Sequence, residues 1–253
     1  MNGRTSAQGL KVVVIGNGMA GFRFVQELLQ LAPEADVTVV GDEPGGAYNR
    51  ARLSLLLDGA AREDSIALSD EGWYERHRVL LITAKARRID RGKNRLELDD
   101  GGTVPYDVLV LAVGASPVLP HADGLAGPDG LLPFGAVAFR TLADTTAIKS
   151  IAVGARHAVV LGGGVLGLET ATGLAAGALP VTLVQRSPRL MERQLDAGAA
   201  RVLARTARAL GVAVRPGTSV ARVTTQTLIT RAPRRSSAAA NSSLRRAGVM
   251  PIG

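Results

Sequence analysis

Two glycine-rich segments have the composition and spacing of phosphate-binding loops. They are Gly16-Asn17-Gly18-Met19-Ala20-Gly21 and Gly162-Gly163-Gly164-Val165-Leu166-Gly167. In such a loop the first glycine permits a tight turn, the second lets the backbone approach a pyrophosphate, and the third allows a helix to pack closely on a strand. The following helix directs free N–H groups and the positive end of its dipole at the phosphates. Two loops of this kind predict two bound dinucleotides.

Each loop lies between an apolar run and a helical pattern. The first follows the strand-like run 12–15 and is followed by apolar residues at helical spacing and by a second strand-like run, 37–40. The second loop has the same surroundings, with strand-like runs at 158–161 and 181–184. This repeated order predicts an α/β fold with two Rossmann-like, three-layer dinucleotide-binding domains. The simpler alternative for either loop is a turn with purely structural glycines.

The residues after the second strand of each unit differ. Asp42 and Glu43 lie 21 and 22 residues beyond Gly21, where a carboxylate can accept hydrogen bonds from ribose hydroxyls. At the corresponding place after the second loop stands Gln185, followed by Arg186. An arginine there can accommodate the 2′-phosphate of NADPH, although a solvated loop arginine is the alternative. The choice between NADH and NADPH stays open.

Composition limits the chemistry that such sites can perform. The chain has no cysteine, which excludes disulfides, thiolate metal sites and dithiol redox centres. Electron transfer must therefore use a bound organic cofactor. Two dinucleotide loops favour FAD as the resident cofactor and NAD(P)H as the exchanged hydride donor. The three histidines have no metal-ligand spacing, and we expect no metal site.

The formal net charge of +8 comes from the C-terminal part of the chain. All acidic residues lie at or before Asp196, and ten arginines follow it. The body of the chain lacks the basic and aromatic pattern of a nucleic-acid interface, and we expect no nucleic-acid partner. The apolar run 12–15 is too short for a signal peptide, and glycine and proline interrupt the uncharged stretch 170–184. We therefore expect a cytoplasmic protein with no membrane association.

Several motifs in order resemble one flavoprotein family. The segment 12–54 contains Gly-Asp-Glu-Pro at 41–44, Tyr48-Asn49-Arg50 and Leu53-Ser54, and it resembles the start of FAD/NAD(P)-dependent oxidoreductases with two dinucleotide folds but without redox cysteines. It is most similar to the N-terminal flavin region of the large subunit of NAD(P)H nitrite reductase. Further resemblances are the segment from Tyr106-Asp107 to Pro117, the crossover 139–142, and the segment 190–196.

The resemblance assigns roles to individual residues. It implies that Gly16, Gly18, Gly21 and Glu43 hold the adenosine and pyrophosphate of FAD, with Arg50 near the flavin phosphates and Ala112 and Gly114 beside the flavin. Gly162, Gly164 and Gly167 would receive the nicotinamide cofactor, with Val165, Leu166, Gln185 and Arg186 beside it. Glu169 would lie near the nicotinamide as the catalytic residue; a helix carboxylate with no role in the reaction is the alternative. Hydride transfer itself needs no general acid or base.

Three segments follow from this pattern. We expect an incomplete FAD-binding domain at 1–118, an NAD(P)H-binding domain at 119–223, and a disordered basic tail at 224–253. The family's return to the flavin domain and its interface domain are not found in the sequence, and residue 113 is valine where the family usually has threonine. The chain is therefore expected to be truncated, as a frameshift would also produce.

The leading hypothesis is an FAD-dependent NAD(P)H oxidoreductase that passes electrons to an acceptor protein or domain on another chain. The alternative is a truncated, catalytically incomplete fragment that binds a dinucleotide. Binding of nucleic acid through the arginine-rich tail is the least supported hypothesis.

Overall fold

The computed structural model describes residues 9–127, 131–133, 135–224, 227–231, 242–245 and 248–251. The chain divides into two compact units. The first comprises Met1–Arg50 and Glu63–Ala115, and the second comprises Ala51–Arg62 and Ser116–Gly253. The expected boundary after residue 118 lies close to this division. The short segment 51–62 differs from the expectation, because it groups with the second unit.

The first unit is built around a four-stranded parallel sheet in the order β3-β2-β1-β7. A smaller antiparallel sheet has the order β4-β5-β6. The elements are β1 (Lys11–Ile15), α1 (Met19–Leu31), β2 (Asp36–Gly41), α2 (Glu63–Ile66), α3 (Trp73–Arg76), β3 (Leu80–Thr83), β4 (Ala86–Asp90), β5 (Arg95–Leu98), β6 (Thr103–Pro105) and β7 (Val108–Leu111).

Strand β1 is buried on both faces, which explains its uninterrupted apolar sequence. Val12 and Val14 lie in one core cluster with Phe22 of α1. Val13 lies in a second cluster with Leu96 of β5. Alternate side chains of a strand point to opposite faces of the sheet, so β1 connects the two clusters. The layers of this unit are therefore helix, parallel sheet and antiparallel sheet.

The second unit repeats the parallel arrangement. Its elements are α4 (Leu142–Gly154), β8 (Ala158–Leu161), α5 (Val165–Ala176), β9 (Val181–Gln185), α6 (Ala197–Ala209), β10 (Val212–Pro216), β11 (Ser219–Val223), β12 (Thr227–Arg231), β13 (Ser242–Arg245) and β14 (Gly248–Pro251). The parallel sheet has the order β10-β9-β8-β14, and an antiparallel sheet has the order β11-β12-β13. Val159 and Val184 of the parallel sheet pack in one cluster with Val220 of β11. A 3₁₀ helix at Arg50–Leu56 begins the segment 51–62.

The segment 224–253, expected to be a disordered basic tail, differs from that expectation where the structure describes it. Strands β12, β13 and β14 all fall in this segment, and the remainder of the expectation lies outside the described residues. Strand β14 pairs in parallel with β8, with Val249 opposite Val159. A four-residue strand next to a buried strand needs no periodic pattern of its own, because pairing with β8 supplies its hydrogen bonds. The sequence therefore carried no local signal for it.

Candidate dinucleotide-binding sites

The first glycine loop connects β1 to α1 by a turn that requires glycine. Gly16 has a φ of +108°, in the region that L side chains rarely adopt. A Cβ at Gly16 would lie 2.2 Å from the carbonyl oxygen of Ala112, and a Cβ at Gly21 would lie 2.0 Å from the carbonyl oxygen of Gly16. These contacts are far shorter than van der Waals separation, so any larger residue would displace the backbone. The two glycines therefore serve the turn and the close approach of helix to strand.

Gly18 differs from the glycines on either side of it. It is the N-cap of α1 with φ −90° and ψ −172°, an extended conformation open to any residue. A Cβ at Gly18 would meet no heavy atom of the chain within 4 Å. Within the described residues, no side chain caps this helix end. The backbone at Gly18 is thus accessible, and the first N–H groups of α1 are suited to bind an anion.

The second loop has the same geometry. Gly162 has a φ of +109°, and a Cβ at Gly167 would lie 1.9 Å from the carbonyl oxygen of Gly162. Gly164 is the N-cap of α5 with φ −82° and ψ −172°, and its Cβ would meet nothing within 4 Å. Both loops therefore fit the pyrophosphate of a dinucleotide. The other predicted loop residues begin the helices, Met19 and Ala20 in α1 and Val165 and Leu166 in α5.

The structure pairs Glu43 with Arg50, two residues that the sequence resemblance places at different parts of the bound FAD. Glu43 is half-buried, and its Oε1 accepts a hydrogen bond from the Arg50 guanidinium. Its Oε2 accepts a hydrogen bond from the Tyr48 hydroxyl at 2.6 Å. The Arg50 guanidinium carbon also lies 5.6 Å from the centre of the Tyr48 ring. Asp42, the neighbouring candidate, is exposed.

Two polar residues that sequence reasoning missed hold the first loop in place. Asn17 Oδ1 accepts a hydrogen bond from the Tyr74 hydroxyl at 2.8 Å. The same hydroxyl accepts one from the backbone N–H of Ala47 at 3.1 Å. These bonds join the glycine loop to the segment that follows β2. The position of Asn17 inside the glycine motif was the available signal for its role.

Ala112 and Gly114 occupy different surroundings. Ala112 donates its N–H to the Ile15 carbonyl at 2.8 Å and lies directly against Gly16 and Gly21. The backbone carbonyl of Ala112 faces Gly16, and its Cβ would lie 3.4 Å from a Cβ at Gly21. Gly114 has a φ of +67°, and a Cβ there would meet nothing within 4 Å, so only its turn favours glycine.

Gln185 occupies the end of β9, where an acid binds ribose in many dinucleotide folds. Its side-chain Oε1 accepts a hydrogen bond from the backbone N–H of Gly163 at 2.8 Å. The carbonyl oxygen of Gly163 accepts another from the N–H of Met191, also at 2.8 Å. A Cβ at Gly163 would lie 2.6 Å from Leu190 Cδ2. The loop after β9 is therefore fastened to the middle of the second glycine loop.

A cavity of about 440 Å³ opens at the carboxyl ends of β8 and β9. Its walls are formed by Val118, Leu119, Pro120, His121, Leu161, Gly162, Val184, Gln185, Arg186, Thr218, Ser219 and Val220. This is the edge at which open parallel sheets bind ligands. Arg186 and His121 are cationic or polar members of the lining, and no acid is among the lining residues that the structure describes. The sequence alone gave His121 no role, because only the fold brings residues 118–121 to this edge.

Glu169 lies on α5, in the second turn after Gly164. Its Oε2 accepts a hydrogen bond from the hydroxyl of Ser54 at 2.7 Å. Ser54 belongs to the Leu53-Ser54 pair of the family motif, and the sequence alone indicates no contact between it and α5.

Fold and sites together define a class of protein. Two parallel-sheet units, each with an accessible glycine loop at a strand-to-helix junction, are typical of oxidoreductases with two dinucleotide folds. A family model described as pyridine nucleotide-disulphide oxidoreductase matches residues 10–242. The chain belongs to this family, and the predicted family is confirmed. Members of the family and the structural neighbours bind FAD and NAD(P)H.

Several curated relatives are similar to this chain. The assimilatory nitrate reductase electron transfer subunit of Bacillus subtilis is 37% identical over 195 residues, which are 76% of this chain and 24% of that protein. The nitrite reductase (NADH) large subunit of Escherichia coli is 35% identical over 81% of this chain and 24% of its own length. Rhodocoxin reductase of Rhodococcus erythropolis is 35% identical, with 74% and 43% covered. The chain thus spans about a quarter of the two reductase subunits.

Solved structures agree on the fold. The covalent putidaredoxin reductase-putidaredoxin complex matches with a TM-score of 0.84 and 25% identity, over 97% of this chain and 59% of the other. A water-forming NADH oxidase from Lactobacillus brevis bound to NADH matches with a TM-score of 0.82 and 22% identity, over 97% and 54%. The predicted α/β class is confirmed.

Among the helices of the described residues, none has both the length and the apolar character needed to span a bilayer.

Proposed function

We propose that this chain is the electron-input module of an FAD-dependent NAD(P)H oxidoreductase. It would transfer a hydride from NAD(P)H to FAD and pass the electrons to an external acceptor, as a nitrite reductase large subunit-like protein. The observation that carries the proposal is the pair of glycine turns. They agree within 1° in φ at Gly16 and Gly162 and within 0.1 Å in the contacts that exclude a Cβ at Gly21 and Gly167.

In this proposal the first unit holds FAD. The N–H groups at Gly18, Met19 and Ala20 bind the pyrophosphate at the start of α1, where the helix dipole favours negative charge. Glu43 accepts hydrogen bonds from the adenosine ribose with the lone pairs that Tyr48 and Arg50 leave free. The Arg50 guanidinium adds positive charge near the phosphates.

The second unit binds the nicotinamide dinucleotide. The N–H groups at Gly164, Val165 and Leu166 bind its pyrophosphate, and the cavity beside Gln185 receives the adenosine end. We propose that Arg186 favours NADPH, because its guanidinium can bind a 2′-phosphate and the described lining residues of the cavity include no carboxylate to repel one. Glu169 lies one turn further along α5 and would contact the nicotinamide riboside end.

These residues act by binding and positioning. When bound, FAD supplies the chemistry by accepting the hydride, which carries two electrons, and releasing the electrons to an acceptor. The glycine loops fix both pyrophosphates on rigid strand-to-helix junctions, which limits the freedom of the reacting rings. No side chain of the chain needs to exchange a proton in that step.

The names of the relatives support an acceptor outside this chain. One relative is an electron transfer subunit of assimilatory nitrate reductase, and another is a rhodocoxin reductase. We propose that the acceptor is a redox protein or a redox domain on another chain.

Purified protein tests the proposal directly. The chain, incubated with FAD and freed of excess, should show flavin absorbance that bleaches under anaerobic conditions when NADPH or NADH is added. It should then reduce an artificial dye catalytically. Protein that binds neither FAD nor NAD(P)H would contradict the proposal.

One observation favours the alternative of an incomplete fragment. Strand β7 is an edge of the first parallel sheet, and Val108 and Leu111 on it are 42% and 63% exposed. Exposed apolar side chains on an unpaired edge are normally covered. Binding of NADPH with no retention of FAD would identify the chain as such a fragment.

A further inference from the structure

Ser54 and Glu169 are 115 positions apart in the sequence and are joined by a hydrogen bond. The Ser54 hydroxyl donates to Glu169 Oε2 at 2.7 Å. Ser54 is buried, with 5% of its surface exposed, whereas Glu169 is exposed. A buried donor holds its geometry better than a surface one, so the hydroxyl restrains a carboxylate that would otherwise rotate freely.

A second contact shows that the segment 51–62 packs on the face of α5 that carries Glu169. A Cβ at Gly173, one turn beyond Glu169, would lie 3.4 Å from Leu57 Cβ and 3.7 Å from Asp58 Cβ. Leu53 and Leu56, on either side of Ser54, are each only 2% exposed. The segment is therefore anchored independently of the hydrogen bond. Ser54 approaches Glu169 because packing at Gly173 and burial of the two leucines put it there.

Glu169 is the fifth residue of α5, which starts directly after the second glycine loop. At a rise of about 1.5 Å per residue, its backbone lies roughly 6 to 8 Å along the helix from the pyrophosphate-binding end. Among the described residues, no hydrogen bond reaches its other oxygen, Oε1. The Ser54 hydroxyl thus restrains Oε2 of Glu169. The other oxygen, Oε1, is available at the distance along α5 where the nicotinamide riboside of a bound dinucleotide would lie.

We propose that Ser54 is a positioning residue for the nicotinamide end of the bound NAD(P)H. By holding Oε2, it directs Oε1 of Glu169 to accept a hydrogen bond from the nicotinamide carboxamide or its ribose. The inference rests on the proposed function and deepens it, because it assigns to the segment 51–62 a part in recognising the second cofactor.

The test compares four variants with the wild type: Ser54→Ala, Glu169→Gln, the double variant, and Thr145→Val as control. Thr145 also has a buried side chain in the second unit, but its hydroxyl donates at 3.2 Å to the carbonyl of Thr141, the N-cap of its own helix α4. Calorimetry measures the affinity of each protein for NADPH, NADH and ADP. ADP contains the adenosine and pyrophosphate but lacks the nicotinamide riboside.

We expect Ser54→Ala to weaken binding of the tighter nicotinamide dinucleotide about five- to tenfold, the scale of the net contribution of one hydrogen bond. Its affinity for ADP should stay within twofold of the wild type. The double variant should bind no more weakly than Glu169→Gln, because the hydroxyl acts only through the carboxylate. Thr145→Val should leave both affinities unchanged.

Three results would overturn the inference. Equal losses for ADP and the dinucleotide in Ser54→Ala would show a general structural effect, and no loss for either would show that the bond has no role. Additive losses in the double variant would likewise contradict action through Glu169. A wild-type protein that binds no dinucleotide at all would instead overturn the proposed function, so the two failures are distinguishable.

Discussion

Arg50 forms an ion pair with Glu43 at the end of the first βαβ unit, and the carboxylate is held from its other side by Tyr48. Both side chains are about a third exposed, so the pair adds little to stability, about 1 kcal/mol or less. Its value is geometric. Two donors fix the plane of the Glu43 carboxylate and therefore the direction of its remaining lone pairs.

Glu43→Gln tests this arrangement. The amide has only one acceptor oxygen, so its NH₂ group must face one of the two donors, Tyr48 or Arg50. We expect FAD affinity to fall about tenfold, the scale of one charge-assisted hydrogen bond, with a small change in thermal stability. Flavin fluorescence titration measures the affinity. Glu34→Gln, an exposed acid of the same unit, is the matched control, and equal affinity in both variants would contradict the role of Glu43.

Two glycines of the second loop should respond to alanine in opposite ways. At Gly164 the new Cβ meets no atom of the chain and the backbone is extended, so Gly164→Ala should fold normally and bind NAD(P)H at least tenfold more weakly. At Gly167 the Cβ would lie 1.9 Å from a backbone oxygen, so Gly167→Ala should lose several kcal/mol of stability. Thermal denaturation and calorimetry separate the two effects. Normal cofactor binding by Gly164→Ala would exclude the loop as a pyrophosphate site.

Arg186 should determine the preference between the nicotinamide cofactors. It is exposed at the rim of the cavity beside Gln185, and its charge is suited to a 2′-phosphate. Arg186→Ala should weaken NADPH binding about tenfold, and NADH binding should change less than twofold, since only NADPH carries that phosphate. Arg156→Ala, another exposed arginine of the unit that does not line the cavity, should change neither. Equal losses for both cofactors would contradict the assignment.

His157 should make stability depend on pH. Burial lowers the pKa of its imidazole below the usual 6.5, and its Nε2 lies 3.0 Å from the Thr182 hydroxyl. The unfolded chain therefore binds the proton more readily than the folded chain, and folding loses stability as pH falls from about 6.5 through the lowered pKa. Well above pH 7 the residue is neutral in both states and contributes no slope.

The measurement for His157 is the melting temperature from pH 7.5 to 5. His157→Gln keeps a polar side chain without a titrating group, so its melting temperature should fall less steeply over this range than that of the wild type. The exposed His77 provides the comparison variant, His77→Gln. Parallel curves for the wild type and His157→Gln would show that burial of this imidazole has no effect on stability.

Much of the architecture follows from local sequence. The runs before Gly16 and Gly162, with helical spacing after them, predicted two parallel-sheet units, and the fold class and family are confirmed. The glycine positions could be predicted because a tight turn and a close helix contact each impose a requirement on a single residue. The pairing of Glu43 with Arg50 could also have been predicted, because both residues lie in one short motif.

The remaining features depend on residues that are distant in the chain. Local periodicity carries no information on which helix a buried serine will approach, and the bond from Ser54 to Glu169 arises only because packing places the segment 51–62 on α5. His121 reaches its cavity, and β14 its partner β8, for the same reason. The sequence by itself determined where each glycine loop forms, because that geometry is local. The tertiary structure alone decided which distant side chains surround those loops, because burial and packing act between segments that no local pattern relates.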